Sequence, residues 1–318
     1  MTSTRRYISL LCVCLVFLGC SSQDVTREQK KIVSESARYV ETIFQEVQST
    51  TALFSEKLKQ DAKTLKNCKK PKESGRYSSM YYPQSAVVNA STLCFSETTK
   101  LSEKEWFSFF KTHPYVSWIY AFNSYSRLKR ITPAVKMNFL FGPDLVFSSF
   151  YFFRDAVRLY PKVTWTAVGE DTNGTGRIIA VTQAIKLPGS HKFFTSMSID
   201  VNLEKLFDKS FIKMRVFAQK NNIKHFFAFS YSKAPDGRIF IAKYTNDLSS
   251  WNMLAPKSKR LLDVTRKEAM TLRKFEHSVE EASTHVQTKR LSLRGKIYIC
   301  TLARIRGFSL FTLACSSG

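Results

Sequence analysis

The chain has 318 residues, of which 44% are hydrophobic and 14% aromatic, so it can form packed cores and is not a disordered chain. Its 49 lysines and arginines outnumber 25 aspartates and glutamates, which gives a formal net charge of +24. Such an excess of positive charge favours anionic surroundings: a membrane surface, a cell-wall polymer, nucleic acid or an acidic ligand.

The N-terminus has the pattern of an export signal. Arg5 and Arg6 precede an uncharged apolar stretch over residues 7–19. That length suits the hydrophobic region of a signal peptide and is short for a membrane span. We therefore expect residues 1–19 to be removed. Export argues against nucleic acid as a partner and leaves lipid head groups and wall polymers as the natural anions.

The end of this apolar stretch resembles a bacterial lipobox. Gly19 and Cys20 fit the pattern, whereas Phe17 and Leu18 depart from it. We expect Cys20 to carry lipid and to anchor the protein to a membrane of the bacterial cell envelope, in the periplasm or at the surface. Ser21 after the cysteine favours the outer membrane, by resemblance to lipoprotein sorting rules.

The mature chain keeps four further cysteines, which allow three pairings. We predict Cys68–Cys94 and Cys300–Cys315, the second because a predicted hairpin between its members would bring them together. Four buried free thiols are the alternative. The sequence contains no C-x-x-C motif and no Cys/His cluster with zinc spacing, so we expect no metal and no cofactor.

Helical patterns dominate the first part of the mature chain. Residues 24–66 contain no glycine or proline, and their apolar residues recur at the spacing of one helical stripe. This pattern predicts a single long helix. A second, short helix is predicted over residues 102–113, where Ser102 and Glu105 match a capping box.

From Thr92 onward strand patterns dominate apart from this short helix, with β-branched and aromatic residues bounded by turn residues. A helix is expected after them, with Asp200 as its N-cap. After residue 220 a shorter series follows: two strands around a Pro-Asp-Gly turn, a helix and a closing hairpin. The fold class is therefore α+β, with two mainly antiparallel sheets beside one long helix. The strands before residue 220 are predicted over 115–123, within the turn and strand of residues 127–135, and over 162–170, 177–187 and 191–201.

This order of elements resembles the double Cache family, the PAS-like extracellular sensor modules of bacterial receptors. The likeness is most specific over residues 115–207, in stretches such as "VSWIYAFN" and "FFTSMSIDVNLEKL". It implies a long N-terminal helix packed along two PAS-like (Cache) modules, with the ligand in the membrane-distal one. The implied divisions are a signal peptide (1–19), the lipidated N-terminus with the long helix (20–70), a membrane-distal module (71–215) and a membrane-proximal module (216–318).

Many family members that bind amino acids share a signature, in which an Arg precedes a Trp-Tyr pair and a Tyr-x-Asp follows on the next strand. In this chain Phe150 stands at the Arg position, Phe152 and Phe153 stand at the aromatic pair, and Gly169 replaces the Tyr. Only Asp171 matches. Without the Arg, a bidentate fork for a carboxylate cannot form, which argues against an α-amino acid as the ligand.

The resemblance then implies an aromatic pocket with one carboxylate, which suits a cationic or flat ligand such as an amine, a quaternary ammonium or a purine-like base. Other interpretations stay open: Asp171 is also an ordinary turn residue, Trp118 and Tyr120 are typical core residues of a sheet, and the Phe cluster would fill the pocket itself. The candidate ligand-binding residues are Tyr120, Phe150, Tyr151, Phe152, Trp165 and Asp171.

Two functions follow from these patterns. The first is an exported, lipid-anchored protein that binds a small molecule without transforming it and presents its bound state to a membrane signalling partner. The alternative is a structural or adhesive surface lipoprotein that grips anionic wall or glycan polymers and has a vestigial pocket. The sequence shows no assembled nucleophile, acid–base pair or metal site, so we do not expect an enzyme.

Overall fold

The computed structural model describes residues 3–64, 76–81, 90–123, 128–134, 151–171, 174–187, 193–234, 237–246, 266–293 and 295–317. The chain folds into two compact units. The central unit contains Ile43–Leu206, and the terminal unit contains Met1–Thr42 together with Phe207–Gly318.

The predicted long helix is confirmed. Helix α1 runs from Ser3 to Thr64 and contributes to both units. The apolar residues of α1 form one stripe, because residues seven positions apart return to nearly the same helical face, and this stripe is buried. None of the helices in the described ranges has an apolar stretch long enough to cross a membrane. The buried stripe includes Val33, Val40, Val47, Phe54 and Leu58.

The central unit is built on a seven-stranded antiparallel sheet. The strand order is β1-β3-β2-β7-β6-β4, and β5 also pairs with β6. Helices α2 and α3 pack on this sheet, and α4 follows β7. The bounds are β1 (Ser79–Tyr81), α2 (Ala90–Thr112), β2 (Val116–Phe122), β3 (Lys129–Thr132), α3 (Tyr151–Arg158), β4 (Thr164–Trp165), β5 (Gly169–Glu170), β6 (Arg177–Lys186), β7 (Phe193–Asn202) and α4 (Leu203–Ser210).

Helix α2 begins at Ala90, so the prediction of strand structure from Thr92 up to the helix over 102–113 is wrong. The predicted capping box is wrong as well. Ser102 and Glu105 lie inside the helix, and Glu105 forms an ion pair with Lys57 of α1. The S-x-x-E pattern places both residues on one side of a helix whether or not the helix begins there. A local pattern therefore could not show that the helix had started earlier.

The two faces of this sheet carry different residues. On one face, Arg130 contacts Thr99 of α2 and Trp165 contacts Phe44 of α1. On the other face, Phe122 of β2 contacts Phe153 of α3, with ring centroids 4.8 Å apart. Since side chains alternate along a strand, the residues that share a face with Phe122 lie on the α3 side of the sheet.

The terminal unit contains a five-stranded antiparallel sheet with the order β10-β11-β12-β8-β9. One face is a core of aromatic and aliphatic side chains that packs against α6. On the other face, Gln29 of α1 donates hydrogen bonds to the carbonyls of Ile299 and Ala314. The bounds are α5 (Ile212–Lys220), β8 (Phe226–Ala234), β9 (Gly237–Thr245), α6 (Arg266–Glu280), β10 (Val286–Leu293), β11 (Lys296–Ile305) and β12 (Leu310–Ser317).

Two cysteine pairs were predicted. Cys300 and Cys315 lie directly opposite each other on β11 and β12 and form a disulfide. Cys94 is also disulfide-bonded. Cys68, the partner predicted for it, lies outside the described residues.

The predicted fold class is confirmed: the protein combines a long N-terminal helix with two antiparallel sheets. In each unit α1 packs on one face of the sheet, and a shorter helix packs on the other. This layout leaves the α3 side of the central sheet as the place where an unusual set of polar residues is buried.

Candidate functional site

A cluster of five polar or amphipathic side chains is buried on the α3 side of the central sheet. Trp118 and Tyr120 come from β2, Lys129 from the start of β3, and Asp200 from β7. Asp171 follows β5. Trp118 lies opposite Asp200 in the β2–β7 pairing, so the alternation of the strands brings both to the same face. We call these five residues the polar cluster.

The Asp171 carboxylate points into the polar cluster. Its Oδ2 accepts a hydrogen bond of 2.8 Å from Trp118 Nε1 and another from the hydroxyl of Thr175. The backbone of Asp171 also forms the turn, because its N–H donates to Gly176 O and its carbonyl accepts from Gly174 N–H. Asp171 is therefore both a turn residue and a buried carboxylate, and the two interpretations of the sequence do not exclude each other.

The glycines of this turn make its course possible. Gly174 and Gly176 have φ values of 72° and 109°, a region that residues with a Cβ atom rarely adopt. The turn returns the chain at Gly176 so that β6 can pair with β5.

The prediction that Asp200 caps a helix is wrong. Asp200 lies within β7 and is buried, and its Oδ1 accepts a hydrogen bond of 3.1 Å from the Tyr120 hydroxyl. Asn202 caps α4 instead, because its Oδ1 accepts from the backbone N–H of Lys205 at 2.9 Å. Asp and Asn are about equally good N-caps, so the sequence could not choose between positions two residues apart.

Lys129 places an ammonium group among these acids. Its side chain is only 5% exposed, and its Nζ lies 4.0 Å from the centre of the Tyr120 ring. An ammonium at this distance is attracted by the ring face. Lys129 opens β3 directly before Arg130, which points to the opposite face of the sheet.

The ionisable groups of the polar cluster are strongly perturbed. Burial raises the pKa of Asp200 to about 7, and Asp171 adds to this rise, whereas Lys129 and the Tyr120 hydrogen bond oppose it. Burial lowers the pKa of Lys129 to about 8, against the attraction of Asp200 and Asp171. Buried acids and bases with shifted pKa values are concentrated at functional sites, since removal of charge from water costs stability.

Replacing Lys129 with methionine and Asp200 with asparagine together is expected to stabilise the central unit by about 1–4 kcal/mol, because both buried charges lose their desolvation cost. Urea unfolding followed by tryptophan fluorescence measures this, since Trp106, Trp118 and Trp165 lie in the central unit.

The increase in the free energy of unfolding that the double substitution produces should depend on pH. The folded-state pKa of Asp200 is raised from 3.8, so its cost is absent near pH 3.8 and grows as the pH rises to about 7. The folded-state pKa of Lys129 is lowered from 10.5, so its cost is complete below about 8 and vanishes towards 10.5. The stabilisation should therefore be largest between pH 7 and 8.

A loss of stability in that pH range would show that Lys129 and Asp200 hold the fold together. The control is the double substitution Lys162→Met/Glu170→Gln, which changes two exposed residues.

The structure separates the residues predicted to bind a ligand. Tyr120 and Asp171 lie in the polar cluster. Phe150 lies outside the described residues, and Tyr151 and Phe152 begin α3 with side chains outside the described part.

Trp165 was predicted to bind the ligand together with Tyr120 and Asp171, but it does not belong to the polar cluster. It lies on the opposite face of the sheet, where its Nε1 donates to Gln48 of α1 at 2.9 Å and its ring lies 5.0 Å from Phe44. Its strand is only two residues long and pairs with β6 through Val181. The sequence predicted a longer strand there, and its pattern did not reveal which face the tryptophan takes.

Two members of the polar cluster were not proposed as binding residues, namely Lys129 and Asp200, and Trp118 was interpreted as a core residue. A usable signal existed for Trp118, because it stands two residues before Tyr120 on one strand and so shares its face. Lys129 is the first residue of a strand that is buried throughout. Its burial comes from the pairing of that strand, which the local sequence does not show.

The chemistry of the polar cluster is that of a cation site. Two carboxylates and the face of a tyrosine ring all favour positive charge, and the indole N–H of Trp118 orients Asp171. Among the described residues, no group of three or more His, Cys, Asp or Glu side chains has the arrangement of a metal site.

No protein-family model and no curated protein sequence matches the chain. Solved structures do match it. The sensory domain of the Campylobacter jejuni chemoreceptor Tlp3 is 12% identical and covers 93% of this chain and 95% of that chain, with a TM-score of 0.53.

Two further domains of bacterial chemoreceptors match the chain. The ligand-binding domain of the Pseudomonas aeruginosa chemoreceptor PctC, bound to GABA, is 12% identical over 92% and 99% of the two chains, with a TM-score of 0.53. That of the Pseudomonas fluorescens chemoreceptor CtaA, bound to L-leucine, is 12% identical over 93% and 95%, with a TM-score of 0.50. The chain therefore has the fold of bacterial chemoreceptor ligand-binding domains, the double Cache-type fold that its sequence predicted.

Proposed function

We propose that the protein binds a small molecule that carries a protonated amine, without transforming it, at the polar cluster of the central unit. The observation that carries this proposal is the burial of two carboxylates, Asp171 and Asp200, on one face of a sheet beside the ring of Tyr120. A protein that only needed a stable fold would gain more from apolar side chains at these positions.

The terminal unit supports this choice of site by contrast. The face of its sheet that packs against α6 is a continuous apolar core, which includes Phe229, Tyr231, Phe311 and the Cys300–Cys315 disulfide. A buried ionic group there is Glu276, which accepts a hydrogen bond from the Tyr231 hydroxyl at 2.9 Å. A face filled in this way offers a small molecule little room, whereas the central face has polar groups with a common charge preference.

The solved structures with this fold support the same chemistry. Their bound molecules include GABA and L-leucine, and both carry an amine that is protonated at neutral pH. The proposal adopts only this shared feature. It assigns no partner for a ligand carboxylate, since Phe150 occupies the place at which the resemblance expects an arginine.

A thermal-shift screen with primary amines, quaternary ammonium compounds and neutral analogues of the same size tests this proposal. We expect amine ligands that raise the melting temperature, and we expect Asp171→Asn to weaken their binding by about tenfold or more, because the ammonium loses a buried counter-ion. Asparagine can still accept the hydrogen bond from Trp118, so the variant should fold.

The control is Glu170→Gln, which removes an exposed carboxylate one residue away on the same hairpin and should leave binding unchanged. Retention of the same affinity in Asp171→Asn would remove Asp171 from the site. Binding of anionic polymers that falls steeply with salt, without any amine ligand, would favour the adhesive function instead.

The proposal extends to where the protein acts. The signal-like residues 1–19 and Cys20 support an exported protein that is anchored by lipid in the cell envelope and reports its bound state to a membrane partner. Incorporation of a labelled fatty acid in the native organism, and its loss in Cys20→Ala, would test the anchor. An unlabelled wild-type protein would exclude it.

A further inference from the structure

The polar cluster has a charge balance that limits what it can bind. Its described ionisable members are two carboxylates, Asp171 and Asp200, and one ammonium, Lys129. With all three ionised, the sum is one negative charge. Buried charges are tolerated only when they are compensated, so a ligand that brings one positive charge completes the balance and a ligand that brings two does not.

Lys129 is built into the cluster. Its ammonium lies 4.0 Å from the centre of the same tyrosine ring whose hydroxyl bonds to Asp200. Its side chain is 5% exposed, and the charges that act on it most strongly are those of Asp200 and Asp171. The chain thus supplies one of the two ammonium groups that two carboxylates can neutralise.

We infer that Lys129 is the specificity-determining residue of the site and makes it select ligands with a single ammonium group over diamines. The inference rests on the proposed function, since it takes for granted that the cluster binds an amine. It names the property that the proposed function leaves open, namely how many charges the ligand carries.

The physical reason is the cost of surplus charge in a buried site. A monoamine brings the sum of charges to zero, whereas a diamine of equal length leaves one ammonium without a counter-ion among the described members of the cluster. Removal of Lys129 changes the sum to two negative charges, and a diamine then becomes the balanced ligand. Removal of Asp200 as well restores the sum of one negative charge.

The test uses the purified full chain and two probes, n-pentylammonium and 1,5-diammoniopentane, with calorimetry between the pKa of Asp200, about 7, and that of Lys129, about 8. We expect the wild type to prefer the monoamine by about tenfold or more. Lys129→Met should reverse the preference, and Lys129→Met/Asp200→Asn should return it to the monoamine.

The double variant also guards against a folding failure, because it removes both partners of a buried pair rather than one. Lys186→Met is the control. Lys186 also lies over an aromatic ring, that of Phe193 at 4.7 Å, but it is the last residue of β6 and does not belong to the polar cluster. It should keep the preference of the wild type. A double variant that prefers the diamine, or binds both probes equally, overturns the inference even if Lys129→Met does not fold.

The outcomes separate the inference from the proposed function. Unchanged preference in a Lys129→Met protein that still binds amines overturns the role of Lys129 and leaves the amine site intact. Absence of binding for both probes in the wild type and in both variants overturns the amine site itself, and the inference with it.

Discussion

Replacing Arg130 with methionine should destabilise the central unit by about 3–5 kcal/mol, because it strands a buried acid and several buried acceptors. Arg130 is fully buried. Its guanidinium donates to Thr99 Oγ1 at 2.8 Å, to Ser78 Oγ at 3.0 Å and to Ser96 O at 3.2 Å, and Nη1 lies 3.5 Å from Glu103 Oε2. Three of these four partners belong to α2, so the residue fixes that helix to the sheet.

Urea unfolding followed by tryptophan fluorescence measures the effect, with Arg154→Met on the exposed side of α3 as a control that should change stability by less than about 0.5 kcal/mol. Adding Glu103→Gln should recover part of the loss, because the acid left behind no longer carries charge. A loss below about 1 kcal/mol in Arg130→Met would mean that packing alone holds α2 in place.

Lys129 and Arg130 are adjacent in the chain and are both buried cations, yet opposite outcomes are expected for them. Arg130 is surrounded by acceptors that match its planar group, and its removal leaves them unsatisfied. Lys129 faces two acids whose charges exceed its own, and removing it together with Asp200 should stabilise the fold. Arg130 is therefore a cation that stabilises the fold. Lys129 destabilises the fold, as expected of a residue that is kept for ligand binding.

Periodic features of the fold were readable from the sequence. The apolar stripe over residues 24–66 predicted α1, and the alternation along β2 places Trp118 and Tyr120 on one face. These predictions succeed because the helix and strand periods follow from backbone geometry. The spacing of apolar residues over a short stretch of sequence is therefore enough to reveal them. Asp171 was also found from the sequence, although through family resemblance rather than periodicity.

The remaining members of the polar cluster depend on contacts between distant segments. Asp200 looked like a helix cap because the start of α4 shifts by two residues, and only pairing with β2 shows that it faces Tyr120. Lys129 stood in a basic stretch that resembles a surface turn. Trp165 is an aromatic residue of the kind that lines ligand pockets. Its hydrogen bond to Gln48 of α1, which lies 117 positions away in the chain, instead places it on the other face of the sheet. Long-range pairing of this kind leaves no periodic pattern that could be read locally.

Binding of a monoamine should weaken as the pH falls below about 7, by an amount that approaches about tenfold per pH unit and totals about fiftyfold between pH 7 and pH 5. The reason lies in Asp200, whose pKa is raised to about 7 by burial and by Asp171. A cationic ligand requires the ionised form of this acid. Below its pKa the acid must release a proton before the ligand can bind, so acid competes with the ligand.

Calorimetry in two buffers with different protonation enthalpies measures the coupling, and near pH 6 we expect release of about one proton per ligand bound. Lys129→Met/Asp200→Asn, which keeps the charge balance that a monoamine needs, should abolish the pH dependence, since an asparagine amide does not titrate, and Glu170→Gln should preserve it. Far-UV circular dichroism at each pH must show a folded protein. A dissociation constant that stays level from pH 5 to 7 in the folded wild type would mean that the ligand does not depend on the charge of Asp200, and the cluster would then recognise its ligand through Asp171 and the aromatic rings alone.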